Sequence, residues 1–285
     1  MKDKDIVYHY CGVDSFISII EKSSLWLSDI LKSNDEKEYN WIKEKINANV
    51  ELDLEKYGED VLKGWKNWIQ RSVIDFGLMT IYAACFSECE DSLSQWRGYA
   101  QDGQGLAIGF SKSVLISLNP FKGNPYTAFK LGEVFYDEKN QSDFINSVTK
   151  LIFNKFQHEG VGIAALDVDS DYSREFPFYK NPSFKEEKEW RLIMALGNNS
   201  KKIVRKNASF SEICYRSCDG RIISYVAMDF SKVKNIIKEV WIGPKSKVTQ
   251  GDVKNLLYKY EYYDKEKEVS INKPIRITLS ESSYR

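Results

Sequence analysis

The sequence predicts a single elaborated α+β domain over residues 1–285, on three observations. Short runs rich in β-branched and aromatic residues, such as "DIVYHY" and "MTIYAACFS", alternate irregularly with helix-like segments, which favours α+β over a doubly wound parallel sheet. No internal repeat or low-complexity linker marks a domain boundary. A chain of 285 residues is also long enough to bury a sizeable core.

Taken in order, "DIVYHY" reads as a strand, and Asp14 then caps a short helix carrying Phe16, Ile17, Ile19 and Ile20. "SLWLSDI" is a second strand. The turn residues Ser33, Asn34 and Asp35 lead into a helical insertion over about 36–76, where Trp65 and Trp68 read as core anchors. "MTIYAACFS" is a buried strand, with Cys85 as a small buried hydrophobe. "DSLSQWRGY" is a short helix starting at Asp91, and "GQGLAIGF" a strand behind a turn that Gly103 and Gly105 permit. "FKLGEVFYD" continues the strand content, and a helical segment covers about 140–158. "EWRLIMAL", "IISYVAMDF", "IKEVWIGP" and "IRITLS" follow as strands, with a helix near Thr249 to Tyr260 before the last.

Lysine plus arginine and aspartate plus glutamate both number 41, so no global field draws the chain to nucleic acid or membrane. A local lysine cluster, "NNSKKIVRKN", reads as a solvated hairpin or as one wall of a nucleic-acid groove. No apolar stretch has signal-peptide character or approaches the roughly 20 residues that span a bilayer. A soluble, cytoplasmic protein with no membrane partner is the expectation. Five thinly spread cysteines make no disulfide framework. The C-x-x-x-C spacings of Cys85 with Cys89 and Cys214 with Cys218 fit zinc poorly, since zinc knuckles favour C-x-x-C, and His9 and His158 are the only histidines. No metal is expected.

Three stretches gather residues with chemical uses. His9 ends a strand, where an imidazole facing a cleft holds a ribose hydroxyl or an amide, or serves structure alone. In "CFSECEDSLSQWRGYAQDGQG", Ser87, Ser92 and Ser94 supply hydroxyls, Trp96 and Tyr99 flat faces, and Arg97 a fork for carboxylate or phosphate. In "NPSFKEEKEWRLIMAL", strand alternation puts Glu187, Glu189 and Arg191 on one face, a pairing that can tune a base or stabilise a cationic transition state. No P-loop, nucleophile elbow, zinc helix or dinucleotide glycine motif is present.

Together "YHYCGVDSFISIIEKSSLWLSD", "CFSECEDSLSQWRGYAQDGQGLAIGF", "FKEEKEWRLIMAL", "RIISYVAMDF" and "VWIGP" resemble the bacterial family known as domain of unknown function 2971 (DUF2971), over nearly the whole chain. The strand ending in histidine, the isoleucine-rich helix and "SSLWLSD" more distantly resemble ADP-ribosyltransferases of the His-Tyr-Glu type. That resemblance implies split mixed sheets with surrounding helices and NAD as substrate. It gives His9 the nicotinamide ribose, Trp96 or Tyr99 the stacking role, and Glu189 the catalytic role with Glu187 as neighbour or substitute. Tyr10, Ser28, Ser87 and Ser94 complete the implied cofactor contacts, and Arg97 and Arg191, which have no fixed counterpart in that group, are candidates for phosphate binding by one of them on charge alone. The implied activity is transfer of ADP-ribose to a protein or nucleic acid by a toxin or anti-phage effector, with an antitoxin or defence-system partner. The alternatives are a non-catalytic sensor module that binds a nucleotide or partner, and a metal-independent nuclease or phosphotransferase using Arg97, Arg191 and the glutamates.

Overall fold

The computed structural model describes residues 5–32, 41–49, 58–60, 63, 79–119, 127–159, 174–197, 209–262 and 275–284. Most of the expected insertion over 36–76, with Trp65 and Trp68, lies outside them, as do the turn at 33–35 and the lysine cluster at 198–207. The segment 41–49 is helical.

Strand β1 (Ile6–Cys11), helix α1 (Val13–Lys22) and strand β2 (Ser24–Asp29) open the fold. The sequence placed a cap at Asp14, but the helix begins earlier, with Gly12 at the N-cap and Asp14 in the first turn. Strand β3 (Met79–Ser87) is the hub. It runs antiparallel along the whole of β6 (Glu189–Gly197), which pairs in turn with β5 (Thr127–Glu133). The other edge of β3 is shared. Its middle takes β2 through Ala83 and Tyr82, and its end takes β1 at Ser87.

The sheet therefore forks at β3. One arm runs β1, β4 (Leu106–Ser111), β9 (Ile237–Ile242) and β10 (Arg276–Leu279), and the other runs β2, β8 (Arg221–Asp229) and β7 (Cys214–Cys218). Among the described strands only β9 and β10 pair in parallel, so the sheet is mixed, and the domain is of the α+β class.

One face of the fork is filled. Phe16, Ile19 and Ile20 of α1 pack with Val7, Leu25, Leu27, Phe86 and Leu192 across both arms, and Val253 and Leu257 of α5 (Gln250–Lys259) extend this core. Helix α5 lies where the sequence puts it, with Thr249 and Asp252 closing a capping box. The opposite face carries two separate apolar patches. Ile81, Ala83, Ile193 and Ala195 lie under Ile42 and Ile46 and under Ile145 and Val148 of α4 (Glu138–Glu159). Tyr8, Tyr10 and Ala107 lie under Trp96 and Ala100, at helix α2 (Leu93–Tyr99). Helix α3 (Lys112–Ser117) follows β4.

Helix α2 begins after Ser92 rather than at Asp91, because the Asp91 carboxylate is used elsewhere. It accepts the Trp96 indole N–H at 2.6 Å, the Ser280 hydroxyl at 2.6 Å and the Glu281 backbone N–H at 2.8 Å, tying α2 to the segment after β10.

The turn into β4 uses its glycines differently. Gly103 has a positive φ of 85°, whereas Gly105 is fixed by contact, since a Cβ there would lie 2.1 Å from the Cys11 carbonyl oxygen. Gly105→Ala is expected to cost about 1–3 kcal/mol and to lower the melting temperature by several degrees. Gly98→Ala, with nothing within 4 Å of the added carbon, should be neutral or mildly stabilising in the same thermal melts.

Candidate functional site

Between the two patches on the open face, the fork leaves a strip of sheet that neither patch covers, which we take as the crevice of the site. Its floor is Cys85, which is exposed although it sits near the end of the hub strand. This corrects the expectation of a buried small hydrophobe: the strand is apolar, but neither patch covers this position. Cys85 lies opposite Arg191 and Ser87 opposite Glu189, so β6 supplies the neighbouring wall.

That wall is a buried ion network. The Glu189 carboxylate accepts from Arg191 Nε at 2.7 Å and Nη2 at 2.8 Å, and from Lys180 Nζ at 3.1 Å. Arg191 Nη1 donates to the Pro177 carbonyl at 2.6 Å. Burial alone would raise the Glu189 carboxyl, but the Arg191 charge and its hydrogen bonds, with Lys180, overcome this and hold it at about 2. The Glu189 backbone is pinned as well, its N–H donating to the Tyr136 phenol at 3.2 Å and its carbonyl accepting from Val134 at 2.9 Å.

Glu187 shares Lys180 at 2.6 Å and is nearly as buried, its side chain 12 % exposed against 8 % for Glu189. Strand alternation does not govern it, because Pro182–Glu187 is a 3₁₀ turn and Lys188, at a φ of 43°, swings the chain into β6. Burial raises the Glu187 carboxyl, and the Lys180 contact only partly offsets that. Its Oε1 accepts from the Tyr99 phenol at 3.2 Å, and Tyr99 keeps 49 % of its surface exposed. Burial and Glu187 together push the Tyr99 phenol up. Tyr99, Glu187, Glu189 and Lys180 thus meet beside Cys85.

His9 joins them indirectly. The register places it on the opposite face of the sheet from Tyr8, Ser87 and Glu189, with its ring edge-on to Phe86 at 5.8 Å. Its Nδ1–H donates to the Cys85 carbonyl at 2.9 Å, where β3 passes from β2 to β1. Burial lowers the imidazole's proton affinity, outweighing the carbonyl's opposite pull, so His9 is neutral near pH 7 with Nε2 as an acceptor. No hydrogen bond or ion pair joins it to either glutamate among the described residues.

The other expected contacts have internal roles. Trp96 is fully buried, edge-on to Tyr10 at 4.7 Å, and offers no face to a ligand. The Tyr10 hydroxyl donates to the Cys89 carbonyl at 2.8 Å and accepts from Ser92 N at 3.0 Å, which shapes the loop before α2. Ser87 is buried and donates to the Glu187 carbonyl at 2.7 Å, so it positions that residue. Ser94 lies 3.1 Å from the Ser92 hydroxyl, and Arg97 stacks on Tyr284 at 4.4 Å. Arg191 is saturated inside the network. Ser28 lies farther along the same face, one strand from Ala83.

Sequence reasoning missed Lys180, a cation 4 % exposed in the aromatic run "FPFYKNP". A charge in such a run has to be paired, and the glutamates seven and nine positions on are its partners. Tyr136 was missed too, and nothing in its local pattern distinguishes it.

Fold and site together define an α+β domain whose forked sheet holds an ion-lined crevice on one face. Residues 95–192 match a family described as "Protein of unknown function (DUF2971)". The match is narrower than the expected resemblance over nearly the whole chain, but it runs from α2 into β6 and so spans Tyr99, Lys180, Glu187, Glu189 and Arg191. No curated protein and no solved structure matches the chain.

The network makes a stability prediction. Glu189, depressed from an ordinary 4.5 to about 2, contributes stability above pH 4.5 that is lost as the pH falls towards 2. Glu189→Gln, which leaves two buried cations underpaired, is expected to cost about 3–5 kcal/mol at neutral pH. Melts across that acid window should show a steep fall for the wild type and a flatter one for the variant.

Proposed function

We propose that the crevice binds NAD and transfers ADP-ribose to a macromolecular acceptor, with Glu187 rather than Glu189 as the carboxylate facing the reacting ribose. The contact between the exposed Tyr99 and Glu187 carries this reading. An aromatic face and a carboxylate 3.2 Å from its hydroxyl are what a nicotinamide riboside requires: one surface to stack on the base and one charge beside the sugar.

In the transfer the glycosidic C1′–N bond breaks and its electron pair goes to the nicotinamide nitrogen. Positive charge develops on the ribose, where a carboxylate stabilises it more than the ground state. An acceptor oxygen or nitrogen then bonds C1′ and gives up its proton. Glu187, whose carboxyl burial pushes above the ordinary range, is suited to take it. Glu189 keeps Lys180 and Arg191 in place, and His9 acts as a positioning residue at the Cys85 carbonyl rather than as a ribose ligand.

A second reading is a non-catalytic nucleotide- or partner-binding module, and the internal neutralisation of Glu189 favours it. The two part on Glu187. With labelled NAD and cell lysate, the transferase reading expects label transfer that Glu187→Gln lowers by about 10²-fold or more while calorimetric NAD binding persists. Tyr99→Phe should keep most of the activity and Tyr99→Ala lose it, since the ring rather than the hydroxyl does the stacking. Binding without transfer or NAD turnover by the wild type leaves the module reading, and no NAD binding at all removes the transferase and leaves only a partner-binding module.

A further inference from the structure

We propose that Arg216 and Ser28 form the anion-binding end of the same crevice and hold the phosphates of a nucleoside diphosphate group. This deepens the dinucleotide reading and rests on it for the identity of the ligand.

Register brings the two residues to the site. Arg216 lies opposite Ile223, Tyr225 opposite both Cys214 and Ser28, and Ser28 opposite Ala83. Opposed residues share a face, and so do residues two apart, so Arg216, Tyr225, Ser28 and the crevice floor Cys85 all face one way. Ser28 and Cys85 are diagonal neighbours, about 7–8 Å apart, a distance that one nucleotide can bridge.

Among the described residues, Arg216 is a cation without a counter-charge. Its hydrogen bond is the 3.5 Å contact from Nη2 to the Ser28 hydroxyl, and its Nε is shut off from solvent with no acceptor. A half-buried guanidinium in that state has its fork unfilled, and phosphate oxygens match that fork in geometry and charge. The other two arginines of interest are committed, Arg191 to Glu189 and Pro177, and Arg97 to the face of Tyr284. The network at Glu187, Glu189, Lys180 and Arg191 sums to zero charge, so the positive charge that phosphates need comes from outside it.

The surroundings favour a nucleotide over bare phosphate. Trp26, two residues from Ser28, stacks on Tyr225 at 4.3 Å with 25° between planes and remains 36 % exposed. That is a flat apolar surface next to Ser28, on the side towards Cys85, with the guanidinium on the other side.

The test uses ADP as probe on the full chain, by calorimetry and thermal shift, with Arg216→Met, Arg216→Lys and Ser28→Ala. ADP is expected to bind the wild type, to bind Arg216→Met at least tenfold more weakly, and to bind Arg216→Lys at an intermediate level. Ser28→Ala should weaken ADP binding several-fold. Without ligand, Arg216→Met should melt at or above the wild-type temperature, because it removes an unpaired charge. The proposal is overturned if ADP does not bind the wild type, if Arg216→Met binds it equally well, or if that variant melts several degrees lower and the arginine is thereby structural. Arg216-dependent ADP binding without NAD turnover leaves the anion site standing and removes the transferase. NAD turnover with an unchanged KM in Arg216→Met does the reverse.

Discussion

Glu189 is a carboxylate taken out of water at the start of a central strand, and its neighbours are arranged around that fact. An unpaired buried charge is costly enough that the group would ordinarily neutralise itself. Here Arg191, two residues along the same strand, meets it side-on with two parallel N–H bonds, and Lys180 adds a third. The pairing sets the path of the preceding segment too, since Lys180 cannot reach both glutamates unless the 3₁₀ turn at 182–187 folds back over the strand. Glu187 is then left at the rim, with Tyr99 as its outer contact. Both acids are mostly buried, and they differ in proton affinity because only Glu189 is ringed by cations, whereas Glu187 has Lys180 and the Tyr99 phenol.

The second constraint is the fork. A strand has two edges, and β3 gives one to β6 and divides the other between β2 and β1. Where the edge is divided, the imidazole of His9 donates to the Cys85 carbonyl. On one face α1 fills the gap between the arms. On the other the helices stand over separate patches, and the uncovered strip between them is the crevice. A packed sheet face rarely leaves a position near the end of its hub strand open to solvent, which is why Cys85 marks the site more clearly than any motif.

Much of this was legible beforehand, for identifiable reasons. The apolar strands and α5 follow from periodicity and from a capping box at Thr249 and Asp252. Glu187, Glu189, Arg191 and Tyr99 stood out because charges and a tyrosine crowd the ends of apolar runs, and these four do converge. Trp96 misled because an indole beside serines reads as a ligand face, whereas its N–H is bound by Asp91 and its ring fills a core. The face of His9 was not readable at all. Alternation sets relative faces within a strand, but which face meets Glu189 depends on how β1 registers with β3, a pairing across 79 residues of chain fixed only at Tyr8 and Ser87. Arg216 escaped notice for the same reason, being brought near Ser28 by two strand pairings rather than by sequence.

The three bonds gathered by Asp91 have a consequence for the order of assembly. Two of them come from Ser280 and Glu281, separated from Asp91 by 189 and 190 positions. Contacts of that separation close slowly, because the loop entropy has to be met before the bonds return anything. The helix that presents Tyr99 is therefore among the last pieces to be fixed, after the core on the other face can already have formed from α1, β1, β2 and β3. Refolding should pass through a species with a closed core and an unfinished rim, in which the ion network exists before the aromatic surface that faces it.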